Sequence, residues 1–241
     1  MHQPQLPGLP SDRPLQQLVL EVHDRLCAEY GCPIPYFHTL DPLSELVSAL
    51  LSHRTKNKDS HKAFQQLVVP FPTWEAVRDA PTEQVQGAIA PCTWAESKAP
   101  RLQQVLRLIG ERLNGEWSLD FLGEMPVAEA RAWLESLPGV GPKTSAAVLA
   151  FSRLRGRALP VDSHHHRVAV RLGILPAKVD VGPAHQILEA LLPAEWTAQQ
   201  VYDHHKVLML HGQKCCFYRN PACDRCPLTD LCPSSRVPQP Q

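Results

Sequence analysis

Four cysteines close together near the C-terminus constrain this chain more than any other feature. They follow the pattern C-x6-C-x2-C-x5-C, as Cys216, Cys223, Cys226 and Cys232. A structural zinc ion is one candidate for their centre, but zinc sites usually have two short cysteine knuckles separated by a longer loop. A [4Fe–4S] cluster also takes four cysteines and suits the compact spacing better. The pattern therefore favours an iron–sulfur cluster over zinc, with a chance group of free thiols as the third alternative.

The rest of the chain has the periodicity of helices. Apolar residues recur at intervals of three and four through almost every segment, as in Leu43-Leu46-Val47-Leu50. The connections are short and rich in Pro and Gly, as helix–helix turns are. Pro42 and Pro142 stand at plausible helix starts. These patterns predict an all-α protein of about ten helices, and the lack of a repeat of 20–50 residues argues against a solenoid.

The length of 241 residues allows one large domain or two small ones. No apolar run approaches the roughly 18 residues of a membrane span, and the first thirty residues contain no signal-peptide core. We therefore expect a cytoplasmic protein, in a bacterial-type cytosol or nucleoid. Because stable disulfides are rare there, Cys27, Cys32 and Cys92 are interpreted as small buried residues. Cys215, next to Cys216, has no role that the sequence assigns.

The segment 137–143, Leu-Pro-Gly-Val-Gly-Pro-Lys, predicts a turn between two helices. The first helix covers 127–136 and the second begins at Pro142. Gly139 and Gly141 permit positive φ and let a ligand approach the backbone closely. Exposed N–H groups at the start of the second helix form an anion site. Such a helix-hairpin-helix can bind a phosphate of the DNA backbone without net charge, although a tight turn with glycines needed only for packing is the alternative.

Two further residues have side chains suited to catalysis. Lys143 falls in the first turn of the second helix, where the positive end of the helix dipole favours the neutral amine that a nucleophile requires. Asp162 follows an apolar triplet at the expected N-cap of the next helix. Capping is its simplest role, and accepting a proton or stabilising a cationic sugar is the functional one.

Three motifs in this order resemble endonuclease III, the bifunctional branch of the helix-hairpin-helix Gly/Pro…Asp DNA glycosylases. They are the segment 137–144, Val161-Asp162 and the cysteine pattern. The resemblance extends over roughly 35–232 and includes Leu50-Leu51-Ser52, Ser97-Lys98-Ala99 and the histidines before the cysteines. It implies two helical lobes with a DNA groove between them.

The resemblance also implies domain boundaries and partners. A six-helix barrel would cover 36–155, with the helix-hairpin-helix at 127–155, and a [4Fe–4S] cluster lobe would combine 15–35 with 156–232. We expect the proline-rich tails, 1–14 and 233–241, to be disordered. The partner is double-stranded DNA containing damaged bases or abasic sites, bound by a monomer that has no contact with membranes.

Lys143 and Asp162 are the catalytic residues that the resemblance implies. The lysine attacks C1′ of a flipped nucleotide, the base leaves, and β-elimination from a Schiff base cuts the strand, while the aspartate assists the displacement. The four cysteines hold a cluster that is chiefly structural. The expected activity is excision of oxidised pyrimidines. A DNA-binding protein of the same fold with little or no glycosylase activity is the alternative, and an electron carrier is a weaker one.

The predicted DNA contacts include two departures from the family pattern. Arg54 stands where many members have a Gln that fills the space left by the flipped base, and a solvated helix end is its alternative interpretation. Trp94 stands near the second expected wedge, with buried core as its alternative. His164-His165-His166 is interpreted as a DNA-facing or solvated patch, because adjacent helix positions do not share a face for a metal. The remaining predicted DNA-binding residues are Leu137, Gly139, Val140, Gly141, His164 and Arg219.

The formal net charge is zero, with 24 Lys and Arg against 24 Asp and Glu, whereas domains that hold nucleic acid by charge usually have a basic excess. Residues 54–62, 143–171 and 206–225 nevertheless carry formal charges of +3, +5 and +3. These segments contain the predicted DNA-facing motifs. Because positive and negative charges balance over the whole chain, we expect modest non-specific DNA affinity with a shallow salt dependence.

Overall fold

The computed structural model describes residues 14–237, and within them it contains helices and no strands. The predicted all-α fold is therefore confirmed. The predicted disorder of 1–14 and 233–241 lies outside the described residues, apart from Pro14 and 233–237. None of the described helices is both long and apolar enough to cross a membrane. The α-helices are α1 Leu15–Tyr30, α2 Pro42–Ser52, α3 Asn57–Val68, α4 Trp74–Asp79, α5 Thr82–Ala88, α6 Ala95–Arg112, α7 Val127–Glu135, α8 Pro142–Phe151, α9 Ser163–Arg171, α10 Val181–Leu191 and α11 Ala198–Lys214, with short 3-10 helices at Asp120–Gly123 and Cys223–Arg225.

The chain divides into two compact units. The central unit is Tyr36–Gly156, and the split unit combines the described residues up to Pro35 with those from Arg157 onward. The helix-hairpin-helix segment thus lies in the central unit, and all four clustered cysteines lie in the split unit.

Helix α2 forms the core of the central unit. Its apolar side chains are buried on nearly every face, and it packs against α3, α6 and α8. Each fully buried Leu contributes roughly 1.5–3 kcal/mol relative to exposure. The helix begins as the sequence predicts, because the Asp41 carboxylate accepts hydrogen bonds from the N–H groups of Leu43 and Ser44, with Pro42 at the first helical position.

The split unit is built from α1, α9, α10 and α11 around a core that includes Val22, Leu26 and Leu208. Helix α11 starts with a capping box made by Thr197 and Gln200. Arg25 of α1 donates to Asp230 at 2.6 Å, so the N-terminal helix is tied to the cysteine-rich segment.

The interpretation of the three adjacent histidines as a solvated patch is wrong for His165. Its side chain is fully buried, and its ring centroid lies 5.6 Å from that of His204 and 5.9 Å from that of His205, both of which are also buried. The capped first turn of α9 directs His165 toward α11. His164 and His166 remain half-buried.

The interpretation of Cys27 and Cys32 as buried thiols is also wrong. They form a disulfide with a Cα–Cα distance of 5.0 Å, and both are only half-buried. Gly31, at φ +80°, ends α1 and turns the chain so that Cys32 returns to Cys27. Cys92 is buried, as expected.

Candidate functional site

The turn between α7 and α8 requires glycine at one of its two glycine positions. Gly139 has φ +79°, and a Cβ built there would lie 2.7 Å from Cδ of Arg101. Gly141 has φ −113° and open space around it, so its backbone does not use the positive φ that glycine permits. The side chains of Leu137 and Val140 are buried. The predicted DNA contacts of Leu137 and Val140 therefore have to be made by backbone atoms.

Lys143 occupies the second position of α8 and is half-buried. The positive charge of Lys143 acts electrostatically on His53, the residue at the C-terminal end of α2. Burial, together with the positive charges of Lys143, Lys98 and Arg101, lowers the pKa of His53 to about 4. His53 is therefore neutral near pH 7, and its Nε2 atom lies 2.8 Å from Oγ1 of Thr144, the residue after Lys143.

Glu45 is a buried acid in the same unit, and it belongs to none of the sequence motifs. Burial raises the pKa of Glu45 to about 8, and the positive charges of Lys143 and Arg155 offset part of this rise. Its Oε2 atom lies 3.2 Å from Nε2 of His38. The available signal was a single carboxylate within the otherwise apolar stripe of α2.

Arg54 and Trp94 meet in the structure. The guanidinium carbon of Arg54 lies 5.8 Å from the centroid of the Trp94 ring. Both residues have left-handed backbones, at φ +50° and +59°, a conformation that costs a non-glycine residue roughly 1–3 kcal/mol and persists where the surroundings enforce it. Trp94 is 51% exposed, so it is not part of the core. The two predicted wedge residues thus form one exposed pair.

Asp162 caps α9, as its simplest interpretation predicts. Its Oδ1 atom accepts hydrogen bonds from the N–H groups of His164 at 2.9 Å and His165 at 2.8 Å. Nδ1 of His164 lies 3.1 Å from Arg167. Helix α11 passes so close to His164 that a Cβ on Gly212 would be 2.7 Å from the Cβ of His164. Asp162 and His164 belong to the split unit, whereas Lys143 belongs to the central unit.

The four clustered cysteines line one cavity, together with His211 and Cys215. Arg171 of α9 donates to Sγ of Cys216 at 3.1 Å and to the carbonyl oxygens of Phe217 and Tyr218 at 2.7 and 2.9 Å. This cation holds the loop that continues to the exposed Arg219. Burial raises the pKa of the Cys232 thiol to about 11. A thiolate at this position therefore requires a bound cationic centre.

The cysteine geometry fits a multi-atom centre better than a single ion. Sulfurs around a tetrahedral zinc, at about 2.3 Å from the metal, lie roughly 4 Å apart. Within residues 14–237, the one group of three ligand atoms that all lie within 4.8 Å of one another is His211, Cys215 and Cys226, which contains only one of the four spaced cysteines. Four thiols around a common cavity, no three of which lie within 4.8 Å of one another, suit a [4Fe–4S] cluster.

Cys215 is a hydrogen-bonding residue in this structure. Burial raises the pKa of its thiol to about 12, so the thiol is protonated. Its Sγ atom donates to the carbonyl oxygen of Ala222 at 3.4 Å. The thiol that had no assignment from the sequence therefore helps to close the loop between Cys216 and Cys223.

Comparison with known proteins identifies the family of this chain. Residues 47–194 match the family described as HhH-GPD superfamily base excision DNA repair protein, and 219–232 match the iron–sulfur binding domain of endonuclease III. Endonuclease III of Escherichia coli K12 is 32% identical over 213 residues, which are 88% of this chain and 93% of that protein. A putative DNA glycosylase of Arabidopsis thaliana is 34% identical over 174 residues, which are 72% of this chain and 57% of the plant protein.

Solved structures show the same fold. A trapped endonuclease III–DNA covalent intermediate has a TM-score of 0.77 and 23% identity, covering 92% of this chain and 97% of that chain. A thermostable thymine-DNA glycosylase has a TM-score of 0.72 and 22% identity, covering 92% and 96%.

The chain belongs to the HhH-GPD superfamily of base excision DNA repair proteins. Within that superfamily it is an endonuclease III-like DNA glycosylase with abasic-site lyase activity, and its cofactor is a [4Fe–4S] cluster. The predicted family, fold class, enzyme class and cofactor are therefore confirmed. The assignment of individual catalytic, cluster-binding and DNA-binding residues stays a prediction.

Proposed function

We propose that this protein, as a monomer on duplex DNA, excises oxidised pyrimidines and then cuts the abasic site through a Schiff base on Lys143. The observation that carries the proposal is the place of Lys143, half-buried in the first turn of α8 directly after the Gly139 turn. Backbone N–H groups at such a helix start attract a phosphate. The same turn can therefore hold the DNA backbone and bring the amine to the sugar of the flipped nucleotide.

The first chemical step is displacement of the damaged base. The neutral amine of Lys143 attacks C1′, the bond from C1′ to the base nitrogen breaks, and the base leaves with the electron pair and takes up a proton. Lys143 lies in the first turn of α8, where the positive end of the helix dipole favours the neutral amine. The carboxylate of Asp162 assists by stabilising positive charge on the sugar or by accepting the proton from the amine.

The second step is strand cleavage. Opening of the sugar gives an imine between Lys143 and C1′, and loss of a proton from C2′ expels the 3′ phosphate oxygen together with its bonding electrons. Hydrolysis then frees Lys143. Cys216, Cys223, Cys226 and Cys232 would hold the cluster, which supplies structure to the loop that presents Arg219 to the DNA backbone.

The Arg54–Trp94 pair fills the space that the flipped nucleotide leaves. The indole ring offers a flat face on which a base stacks, and the guanidinium group provides up to five donors for the opposite base. Arginine replaces an amide that would both donate and accept. The pair therefore favours an opposite base that presents acceptors.

Borohydride trapping tests the proposed nucleophile. An abasic-site duplex should become covalently attached to the wild-type protein and to Lys178→Ala, a variant at an exposed lysine of the split unit, but not to Lys143→Ala. Equal trapping by Lys143→Ala would exclude Lys143. Single-turnover cleavage of duplexes that contain an oxidised pyrimidine, uracil or a mismatch tests the substrate. Saturable binding without product on any of them would support the structure-specific DNA-binding protein instead.

A further inference from the structure

Lys98, in the first turn of α6, uses all three donors of its ammonium group within the central unit. Nζ donates to the carbonyl oxygens of Leu51 at 2.7 Å and His53 at 2.8 Å, and to Oγ1 of Thr55 at 2.8 Å. An ammonium group has three N–H donors. A surface lysine rarely has this geometry, because fixing its long side chain is entropically costly.

Two of these acceptors belong to the end of α2. Carbonyl groups in the last turn of a helix lack intrahelical partners and carry the negative end of the dipole, so a cation is stabilised there. Lys98 therefore acts as a C-terminal cap for α2 from another helix. The capped segment leads directly into Arg54, whose backbone has φ +50°.

The third acceptor links the same ammonium group to the other wedge residue. Oγ1 of Thr55 also accepts a hydrogen bond from the N–H of Thr93 at 3.2 Å and donates to the carbonyl oxygen of His53 at 3.3 Å. Trp94 follows Thr93, and its carbonyl oxygen accepts from the N–H of Lys98 at 3.0 Å. Lys98 thus fixes His53 and Thr55, which flank Arg54, by direct hydrogen bonds. Through Thr55 it also fixes Thr93, which precedes Trp94.

We infer that Lys98 is a positioning residue for nucleotide flipping, because its ammonium group joins the Arg54 segment to the start of α6 and holds Arg54 and Trp94 as one rigid wedge. The inference rests on the proposed function of that pair. Both wedge residues have strained backbones, which relax when their neighbours are free. Without the ammonium group, the two side chains lose their fixed spacing before they enter DNA, and the cost of ordering them is added to the cost of flipping.

The experiment uses a duplex in which thymine glycol stands opposite the fluorescent base 2-aminopurine. The fluorescence of 2-aminopurine rises when the Arg54–Trp94 pair enters the duplex and unstacks this base. Lys98→Met keeps the aliphatic chain and removes the donors, and Thr55→Val removes the shared acceptor. Lys98→Arg keeps charge and donors, and Lys178→Met makes the same change at the exposed lysine. Single-turnover excision and fluorescence are both measured at saturating protein, and DNA affinity is measured separately.

Lys98→Met and Thr55→Val should slow excision by about tenfold or more and lower the fluorescence rise, with a change in DNA affinity below about threefold. Lys98→Arg should recover part of both signals, and Lys178→Met should match the wild type. Normal fluorescence in Lys98→Met and Thr55→Val overturns the inference, whether or not excision is slower. If Lys98→Met loses helical circular dichroism, the fluorescence of Thr55→Val alone decides whether the inference holds.

The two proposals fail in different ways. If the wild-type protein neither excises thymine glycol nor traps an abasic site, the proposed function is wrong. The fluorescence comparison on an abasic-site duplex still reports whether Lys98 holds the wedge. Normal wild-type excision with no effect of Lys98→Met or Thr55→Val leaves the proposed function intact and removes the role of Lys98.

Discussion

Nε2 of His53 lies 2.8 Å from Oγ1 of Thr144, so the residue before Arg54 is hydrogen-bonded to the residue after Lys143. This bond joins the wedge segment to the first turn of the helix that carries the proposed nucleophile. Thr144 is buried, so bulk water does not compete with His53 for its hydroxyl group. The wedge and the nucleophile are therefore parts of one hydrogen-bonded assembly within the central unit.

Replacing Thr144 by Val should slow both base excision and borohydride trapping. Valine has nearly the same shape but leaves the half-buried ring nitrogen of His53 unpaired, at a cost of about 1–3 kcal/mol. Thr55→Val, by contrast, should affect excision more than trapping, because it loosens only the wedge. The two rates, measured under single-turnover conditions for each variant, distinguish these effects. Equal losses in both variants would contradict separate roles for the two threonines.

The two glycines of the turn should respond differently to alanine. Gly139→Ala places a Cβ 2.7 Å from the Arg101 side chain at φ +79°, so we expect a loss of about 1–3 kcal/mol of stability. Gly141→Ala has open space and a permitted φ, so its stability should be unchanged or up to about 1 kcal/mol higher. Urea unfolding of both variants checks this. Similar destabilisation by both would show that the turn geometry is wrong.

Sequence patterns predicted those features of the fold that depend on neighbouring residues. The starts of α2 and α8 follow from Asp41-Pro42 and Gly141-Pro142, because capping and proline act within one helical turn. The family follows from three motifs whose order and spacing coincidence does not produce. The left-handed Gly139 was likewise predictable, since glycine supplies positive φ without strain.

Features that depend on distant residues were not predictable. Arg54 and Trp94 are forty positions apart, and no local pattern indicates that their side chains meet. Lys98 looks like any solvent-facing lysine in a sequence, because its three acceptors come from another helix and the loop after it. Cys27 and Cys32 pair only because Gly31 reverses the chain between them.

Asp162 combines capping with a proposed catalytic role, and two substitutions separate these roles. Asn is as good an N-cap as Asp, so Asp162→Asn should keep the stability of the protein while slowing excision by about a hundredfold or more, because the charge is lost. Asp162→Ala should slow excision as much and also lose about 1 kcal/mol of stability. Single-turnover rates and urea unfolding provide the comparison. Excision by Asp162→Asn at the wild-type rate would leave capping as the only role.

Neighbouring cysteines should differ in their effect on the cluster. Cys216→Ser should reduce the iron content and the visible absorbance of the purified protein, because it removes a predicted thiolate ligand. Cys215→Ser is the matched control, since its protonated thiol donates to a carbonyl group and serine can do the same. Loss of iron from Cys215→Ser to the same extent would contradict the ligand assignment.

The buried His165 should make the split unit sensitive to acid. Both ring nitrogens are buried without a hydrogen-bond partner, and burial, with the charges of neighbouring histidines, lowers the pKa to about 3. In the unfolded chain histidine titrates at about 6.5. Between about pH 6.5 and pH 3 the unfolded chain binds a proton that the folded chain does not, so the free energy of unfolding falls as the pH drops through this window.

His165→Leu removes this difference, and its unfolding free energy should change less between about pH 7 and pH 5 than that of the wild type. At about pH 7 the variant should be at least as stable, because an apolar side chain replaces a buried polar group that lacks a partner. Urea unfolding followed by circular dichroism gives both values, and cluster absorbance recorded in parallel reports any loss of iron. An unchanged pH dependence in His165→Leu would show that other groups, such as the carboxylates, cause the acid sensitivity.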